Sequence, residues 1–188
     1  MATDSLTLPR TRRRRGWVIA VALVLAMAVA GLAIMIPAYV YPAAAAPPAR
    51  ADVIYVIGPP TEGRIALAER LRSEGVADDI LISVPSEGEQ SAAKLSVCQE
   101  RYVTCGHPDP FTTAGEMGLL NTRYGPEASA VVITFTPHVS RTRFIAAQCA
   151  EAQVTVVDVP TSLDLGQWIY QFAYQTGGFA KAVAAPCS

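Results

Sequence analysis

Only two histidines, His107 and His138, occur among the 188 residues, so imidazole chemistry is confined to two places. The four cysteines include no C-x-x-C pair, and no second histidine lies near His107 and Cys105. A closed zinc site normally takes four Cys/His ligands, so a metal site there is short of donors. No G-x-G-x-x-G or Walker loop follows an apolar run, and nucleotide binding cannot be read from a phosphate loop. No G-x-S-x-G elbow is present and no pair of carboxylates stands out. Basic charge is scarce after the first fifty residues. From Ala51 onward nine Lys/Arg stand against fifteen Asp/Glu, a net −6, whereas the whole chain sums to −1. A nucleic-acid binder needs a basic face to displace counterions, and none is visible.

The first fifty residues are of another kind. Arg10, Arg12, Arg13, Arg14 and Arg15 precede an uncharged apolar run from Trp17 to about Tyr41. At 1.5 Å per helical residue the run is long enough to cross a hydrocarbon core about 30 Å thick. Arginines stay on the cytoplasmic side, so residues 1–16 read as a cytoplasmic basic tail and 17–41 as a transmembrane helix. Trp17, Tyr39 and Tyr41 stand where aromatic anchors are expected. The run exceeds the roughly 7–15 apolar residues of a signal peptide, which favours an uncleaved anchor. The small residues of "YPAAAAPPARAD" leave cleavage as the alternative. Residues 42–50 form an Ala/Pro linker, and 51–188 fit one extracytoplasmic domain with a proper core.

All four cysteines, Cys98, Cys105, Cys149 and Cys187, follow the membrane run. An even count in an oxidising compartment suggests disulfides. Of the three pairings, the most economical joins Cys98 to Cys105 across a short loop and Cys149 to Cys187, tying the C-terminal end to a helix. The rivals are the metal site at His107 and four buried free thiols.

Beyond the linker, strand and helix patterns alternate. "DVIYVIG" is a continuous apolar run, as in a strand buried on both faces. "EGRIALAERLRSEG" has helical spacing and a Gly stop. "DILISVP" is a second strand, "GEQSAAKLSVCQE" reads as a helix, and "RYVTCG" is a weak third strand. "TTAGEMGLLNTRYG", "SAVVITFT", "PHVSRTRFIAAQCAEA" and "QVTVVDVP" continue as helix, strand, helix, strand. "LDLGQWIYQFAYQTGGFAKAVAA" is a helical region that Gly177-Gly178 should interrupt. The alternation implies βαβ units, hence an α/β fold with a mostly parallel five-stranded sheet covered on both faces. Ligands of such sheets bind at the carboxyl ends of the strands.

Three loops there carry candidates. After strand one, Gly58 permits the turn, Thr61 can cap the next helix and Arg64 lies in its first turn, where an anion is favoured. Pro59 and Pro60 lack amide hydrogens, which makes a poor phosphate nest. After strand three, Thr113 and Glu116 match a capping box, a sufficient structural reason for both, with Thr112 beside them as a further ligand contact. After strand four, Thr136 is a natural N-cap and Pro137 a natural first helical residue. His138 and Val139 then offer amides that no helix carbonyl satisfies. Arg141 lies one turn beyond His138 on the same side, at the border of a stripe formed by Thr142, Ile145, Ala146 and Cys149. Amides, an imidazole and a guanidinium together suit an oxyanion or phosphate. A satisfied His beside a surface Arg is the ordinary alternative.

These pieces, namely "DVIYVIG" followed by Arg64, "TTAGE" opening a helix and "VITFTPHVSRTRF" closing a strand, resemble the YdcF/SanA/ElyC family of envelope-associated proteins. The likeness runs from about Asp52 to Pro160. Its most specific piece is the strand–Thr–x–x–x–His–x–x–Arg pattern of Thr134, His138 and Arg141, followed by Thr112, Thr113 and Glu116. The resemblance implies a Rossmann-like three-layer αβα sandwich, often behind one membrane helix, linked to peptidoglycan or envelope polysaccharide metabolism. Two departures stand out. Pro59-Pro60 replace the family's glycine-rich turn, and "SVPSEG" keeps Ser83 without the two glycines that usually follow it. Both remove close backbone approach to a ligand.

Three functions compete. The first is a membrane-anchored module binding a small anionic or nucleotide-like metabolite. The second is a hydrolase or transferase for a phosphate-containing envelope precursor, with His138 as acid or base, Arg141 holding phosphate and Glu116 assisting. The third is an interaction protein whose pocket has decayed. The sequence names no cofactor and no protein partner.

Overall fold

The computed structural model describes residues 10–43 and 45–187. Residues 1–9 of the expected tail lie outside the described residues. Helix α1 (Arg10–Met35) continues into one wide helical turn, Ile36–Val40. Pro37 has no amide hydrogen to give the α-helical ladder, which accounts for the change of pitch. The stretch Arg14–Val40 is long and apolar enough to span a membrane, and its most apolar window is wholly exposed.

Five strands follow: β1 (Val53–Val56), β2 (Asp79–Ser83), β3 (Val103–Gly106), β4 (Ser129–Phe135) and β5 (Gln153–Val159). They form one all-parallel sheet in the order β3-β2-β1-β4-β5. Helices α2 (Glu62–Ser73), α3 (Thr113–Tyr124), α4 (Val139–Cys149) and α5 (Leu165–Ala184) cover it. The fold is the expected α/β, Rossmann-like one. Side chains of β1 alternate between two cores. Val53, Tyr55 and Ile57 join Met117 and Leu120 of α3 and Ile145 and Ala146 of α4. Ile54 and Val56 join Leu67, Ala68 and Leu71 of α2. The four β1 positions and Ile57 just after them have no exposure, which is why this stretch reads as a continuous apolar run. Each such aliphatic side chain contributes about 1.5–3 kcal/mol.

The chain builds the sheet outward from β1 to β3, then crosses back to lay β4 on the other side of β1. This reversal opens a crevice above the carboxyl ends of β1 and β4, where Gly58 and His138 fall.

Two expected elements differ. The segment read as "GEQSAAKLSVCQE" forms turns and a short 3-10 helix, Ser96–Gln99, instead of an α-helix. Gly88 has a left-handed φ of 92°, and its apolar side chains follow no helical stripe. Conversely, α5 runs unbroken through Gly177-Gly178. Two glycines cost a helix about 2 kcal/mol together. A full capping box between Asp164 and Gln167, plus packing of the helix on α4, offsets that cost.

Both economical disulfides are present, Cys98–Cys105 and Cys149–Cys187, spanning 7 and 38 residues. The former leaves no thiolate at Cys105 for the rival metal site, and His107 donates through Nδ1 to the Val84 carbonyl. Closing the longer loop removes more denatured-state entropy, about 4 kcal/mol against about 2.5. Cys149→Ser/Cys187→Ser should therefore lower the urea midpoint more than Cys98→Ser/Cys105→Ser. An equal or reversed order would count against a tethered C-terminal helix.

Candidate functional site

The crevice holds a cavity of about 810 Å³ whose polar end gathers residues from four loops and helices. Glu116 comes from the first turn of α3. The expected capping box is not formed, because Thr112 and not Thr113 is the N-cap: its Oγ1 accepts from the Gly115 amide at 3.2 Å. Glu116 then lies one residue beyond the reach-back position, and its Oε1 accepts from the Gly58 amide at 2.6 Å. A Cβ on Gly58 would come within 3.2 Å of both Glu116 Oε1 and Phe111, so glycine is what lets the carboxyl approach β1.

Arg64 enters from the first turn of α2 and is buried. Its Nη1 donates to the carbonyls of Ile57 at 3.0 Å and Pro59 at 2.8 Å. The Pro59-Pro60 turn gives no amides at these positions, yet its carbonyl anchors the guanidinium. The other face of Arg64 lies 5.0 Å from the ring centre of Phe135.

His138 and Arg141 are also buried, at 4% and 9% exposure, rather than at a half-exposed border. Arg141 Nη2 donates to His138 Nε2 at 2.8 Å. A guanidinium has no acceptor, so Nε2 supplies the lone pair and the ring proton sits on Nδ1. Nδ1 donates in turn to Thr134 Oγ1 at 3.0 Å, and Thr113 Oγ1 reaches Nε2 at 3.4 Å. Burial, then the charges of Arg141 and Arg64, push the imidazole well below its usual pKa, so it is neutral.

Thr136 does not cap α4. A 3-10 turn, Thr136–His138, precedes that helix, and the Thr136 hydroxyl donates to Asp158 Oδ2 at 2.6 Å on β5. The Val139 amide is satisfied by the Thr136 carbonyl. With the Gly58 amide taken by Glu116 and the Val139 amide, expected free, by Thr136, the polar end offers mainly side-chain donors.

The charge balance is uneven. Arg64 and Arg141 face one carboxyl, Glu116, and among the described residues neither guanidinium has a carboxylate within 4.0 Å. Burial raises Glu116 to about 7, although Ser83, the Gly58 amide, Arg64 and Arg141 all pull it down. The Ser83 hydroxyl is buried without a well-formed hydrogen bond, close behind Glu116. Burial also lowers Arg64 to about 10, offset in part by Glu116. Among the described residues Arg141 Nε has no hydrogen-bond partner.

Of the residues singled out from sequence, Gly58, Arg64, Thr112, Thr113, Glu116, His138 and Arg141 line the cavity. Thr134 and Ser83 lie fully buried behind His138 and Glu116. Thr61 is exposed at the start of α2, makes no side-chain cap, and does not line the cavity. Thr136 is turned to β5 and also lies outside the lining.

The remaining wall was missed. It is α5, which brings Tyr174, Gly178 and Lys181 to the cavity. The Arg141 guanidinium lies 5.0 Å from the Tyr174 ring centre. A Cβ on Gly178 would collide with the Arg141 guanidinium and Cδ. The signal was the Gly-Gly pair, which reads as a helix break and is a seat for arginine. No family model, curated protein or solved structure matches the chain.

The two glycines should therefore respond in opposite ways. Gly177→Ala meets open space and should stabilise by about 1 kcal/mol through helix propensity. Gly178→Ala should destabilise by about 1–3 kcal/mol through overpacking, because Arg141 must leave its bond with His138. Thermal melts of both variants check this; a stabilising Gly178→Ala would mean that Arg141 is not held there.

Proposed function

We propose that this protein is a membrane-anchored, extracytoplasmic domain that binds a small anionic metabolite at the Arg64–Arg141 end of the cavity. The observation that carries the reading is the surplus of buried positive charge. Two guanidiniums share one carboxyl, and the imidazole beside them is neutral. Burying an unpaired cation costs several kcal/mol, and an anion with several oxygens would recover part of that cost through charge-assisted hydrogen bonds. Arg141 Nε is an unused donor for it, and Lys181 adds an exposed cation on the cavity wall. The arginines before α1 favour a cytoplasmic N-terminus. The two disulfides agree with an oxidising compartment. The resemblance to the YdcF/SanA/ElyC family supports a role in cell-envelope or peptidoglycan metabolism.

A second reading, a phosphate-ester or pyrophosphate hydrolase or transferase, has one observation in its favour. Glu116 lies near neutrality, where a general acid or base works best. In that reading Glu116 moves the proton. His138, with Nε2 facing the Arg141 donor and Nδ1 facing Thr134, orients the guanidinium.

Binding should depend on pH in a direction set by Glu116. Below about 7 its carboxyl is neutral and the site carries both arginine charges. Above about 7 it gains a negative charge that repels an anion. Sulfate, which does not titrate here, should therefore bind roughly tenfold more weakly at pH 8 than at pH 6. Glu116→Gln should remove this dependence, and Arg141→Gln should abolish binding. Isothermal titration with the full chain in detergent checks all three. Wild-type affinity that rises with pH, or survives loss of Arg141, would contradict the reading.

A further inference from the structure

Helix α5 carries a second feature that the anion site does not use. Leu165, Ile169, Phe172, Thr176, Phe179 and Val183 recur at alternating steps of four and three residues, so they share one stripe along the helix. Only the middle of the stripe is partly covered: Phe172 and Phe179 are half-buried, while Thr176 between them stays exposed. Tyr39, in the turn that ends the membrane run, lies 5.8 Å from Phe172 and 6.2 Å from Phe179 between ring centres. Its hydroxyl is 3.2 Å from Thr176 Oγ1, and Tyr39 itself is buried. Beside it, the Ser140 hydroxyl donates to the Ala38 carbonyl at 2.7 Å. The domain therefore sits directly on the end of its membrane helix. The stripe continues past Tyr39 in both directions, with Leu165 77%, Ile169 63% and Val183 66% exposed. Over its 20 residues α5 has one charged side chain, Lys181.

We infer that α5 lies on the outer surface of the bilayer, with Leu165, Ile169 and Val183 dipped into lipid on either side of the point where the membrane helix emerges. Tyr39 sets the level. A tyrosine at the end of a membrane span belongs to the headgroup region, and the stripe that it covers at its centre is at the same height. Exposed leucine, isoleucine and valine flanking that point meet the acyl boundary, as in interfacial helices that bury their apolar face about 5–10 Å deep. Trp168, beside the stripe on the same helix, has the apolar body and polar tip suited to that layer. The contact is independent of any ligand in the cavity, so failure of either idea leaves the other standing.

The chain contains two tryptophans, Trp17 and Trp168, which makes a direct depth measurement simple. The full-length variant Trp17→Phe/Trp168→Phe/Leu165→Trp places one fluorophore at an exposed stripe position two turns from the Tyr39 contact. It is reconstituted into vesicles of phosphatidylethanolamine and phosphatidylglycerol, with or without bromine on the upper acyl carbons. The inference expects a blue-shifted emission and at least twofold quenching by the brominated lipid, with both reduced when Ile169→Asp is added. Emission typical of water with no quenching would overturn it. So would a blue-shifted but unquenched signal from a chain that runs as a dimer, since a second copy would then cover the stripe. A tryptophan at exposed Glu69 on α2 serves as the control for a folded, reconstituted domain and should show neither effect.

Discussion

The hydrogen bond from Arg141 to His138 is the constraint around which the upper half of the domain is arranged. Arg141 is a cation taken almost entirely out of water, and among the described residues no carboxylate lies within 4.0 Å of it. What it has instead is a lone pair on a neutral imidazole, the face of Tyr174 and the more distant charge of Glu116. Each requires something of the sequence. The lone pair is on Nε2 because the single ring proton sits on Nδ1, which donates to Thr134 Oγ1. The aromatic face exists because α5 crosses here, and α5 comes close enough because position 178 has no side chain. An unpaired buried cation is costly, and the anion proposed for this site would offset part of that cost.

The same logic explains Glu116. Its carboxyl is drawn to the Gly58 amide and sits between two arginines without pairing with either. A close salt bridge would neutralise one guanidinium and hold the carboxylate ionised at all ordinary pH. At its actual spacing, burial competes with the arginines and wins, leaving the group poised near neutrality. The net charge of the site is therefore adjustable by one proton. The sheet positions these parts by its strand order. Gly58 lies just after β1 and Phe135 is the last residue of β4, the neighbouring strands at which the strand order reverses.

Much of this was legible in the sequence. The apolar run of β1, the His138–Arg141 spacing and the threonine-rich start of α3 carry local signals that the fold obeys. Three features were hidden, each because a tertiary contact overrode a local rule. The capping box at Thr113 and Glu116 is sound helix chemistry. It lost to a cap one residue earlier that frees Glu116 for Gly58. Thr136 looks like an N-cap until Asp158, on a strand 22 residues away, claims its hydroxyl. Gly177-Gly178 looks like a break because propensity counts only the helix itself, whereas the contact that matters comes from α4. Burial of Arg141 belongs to the same class. Its position on α4 suggested a border, and only the placement of α5 closes it over.

If the buried arginine pair is a place for an anion, an anion can be located there crystallographically. Crystals of the full chain soaked in selenate, with data collected at the selenium edge, give an anomalous map that identifies the ion irrespective of any assumed function. A peak is expected within hydrogen-bonding distance of Arg141 Nε and the Arg64 guanidinium, lost in the Arg141→Gln variant. A map with no peak in the cavity, or with peaks only at exposed surface arginines such as Arg50 and Arg70, would contradict it.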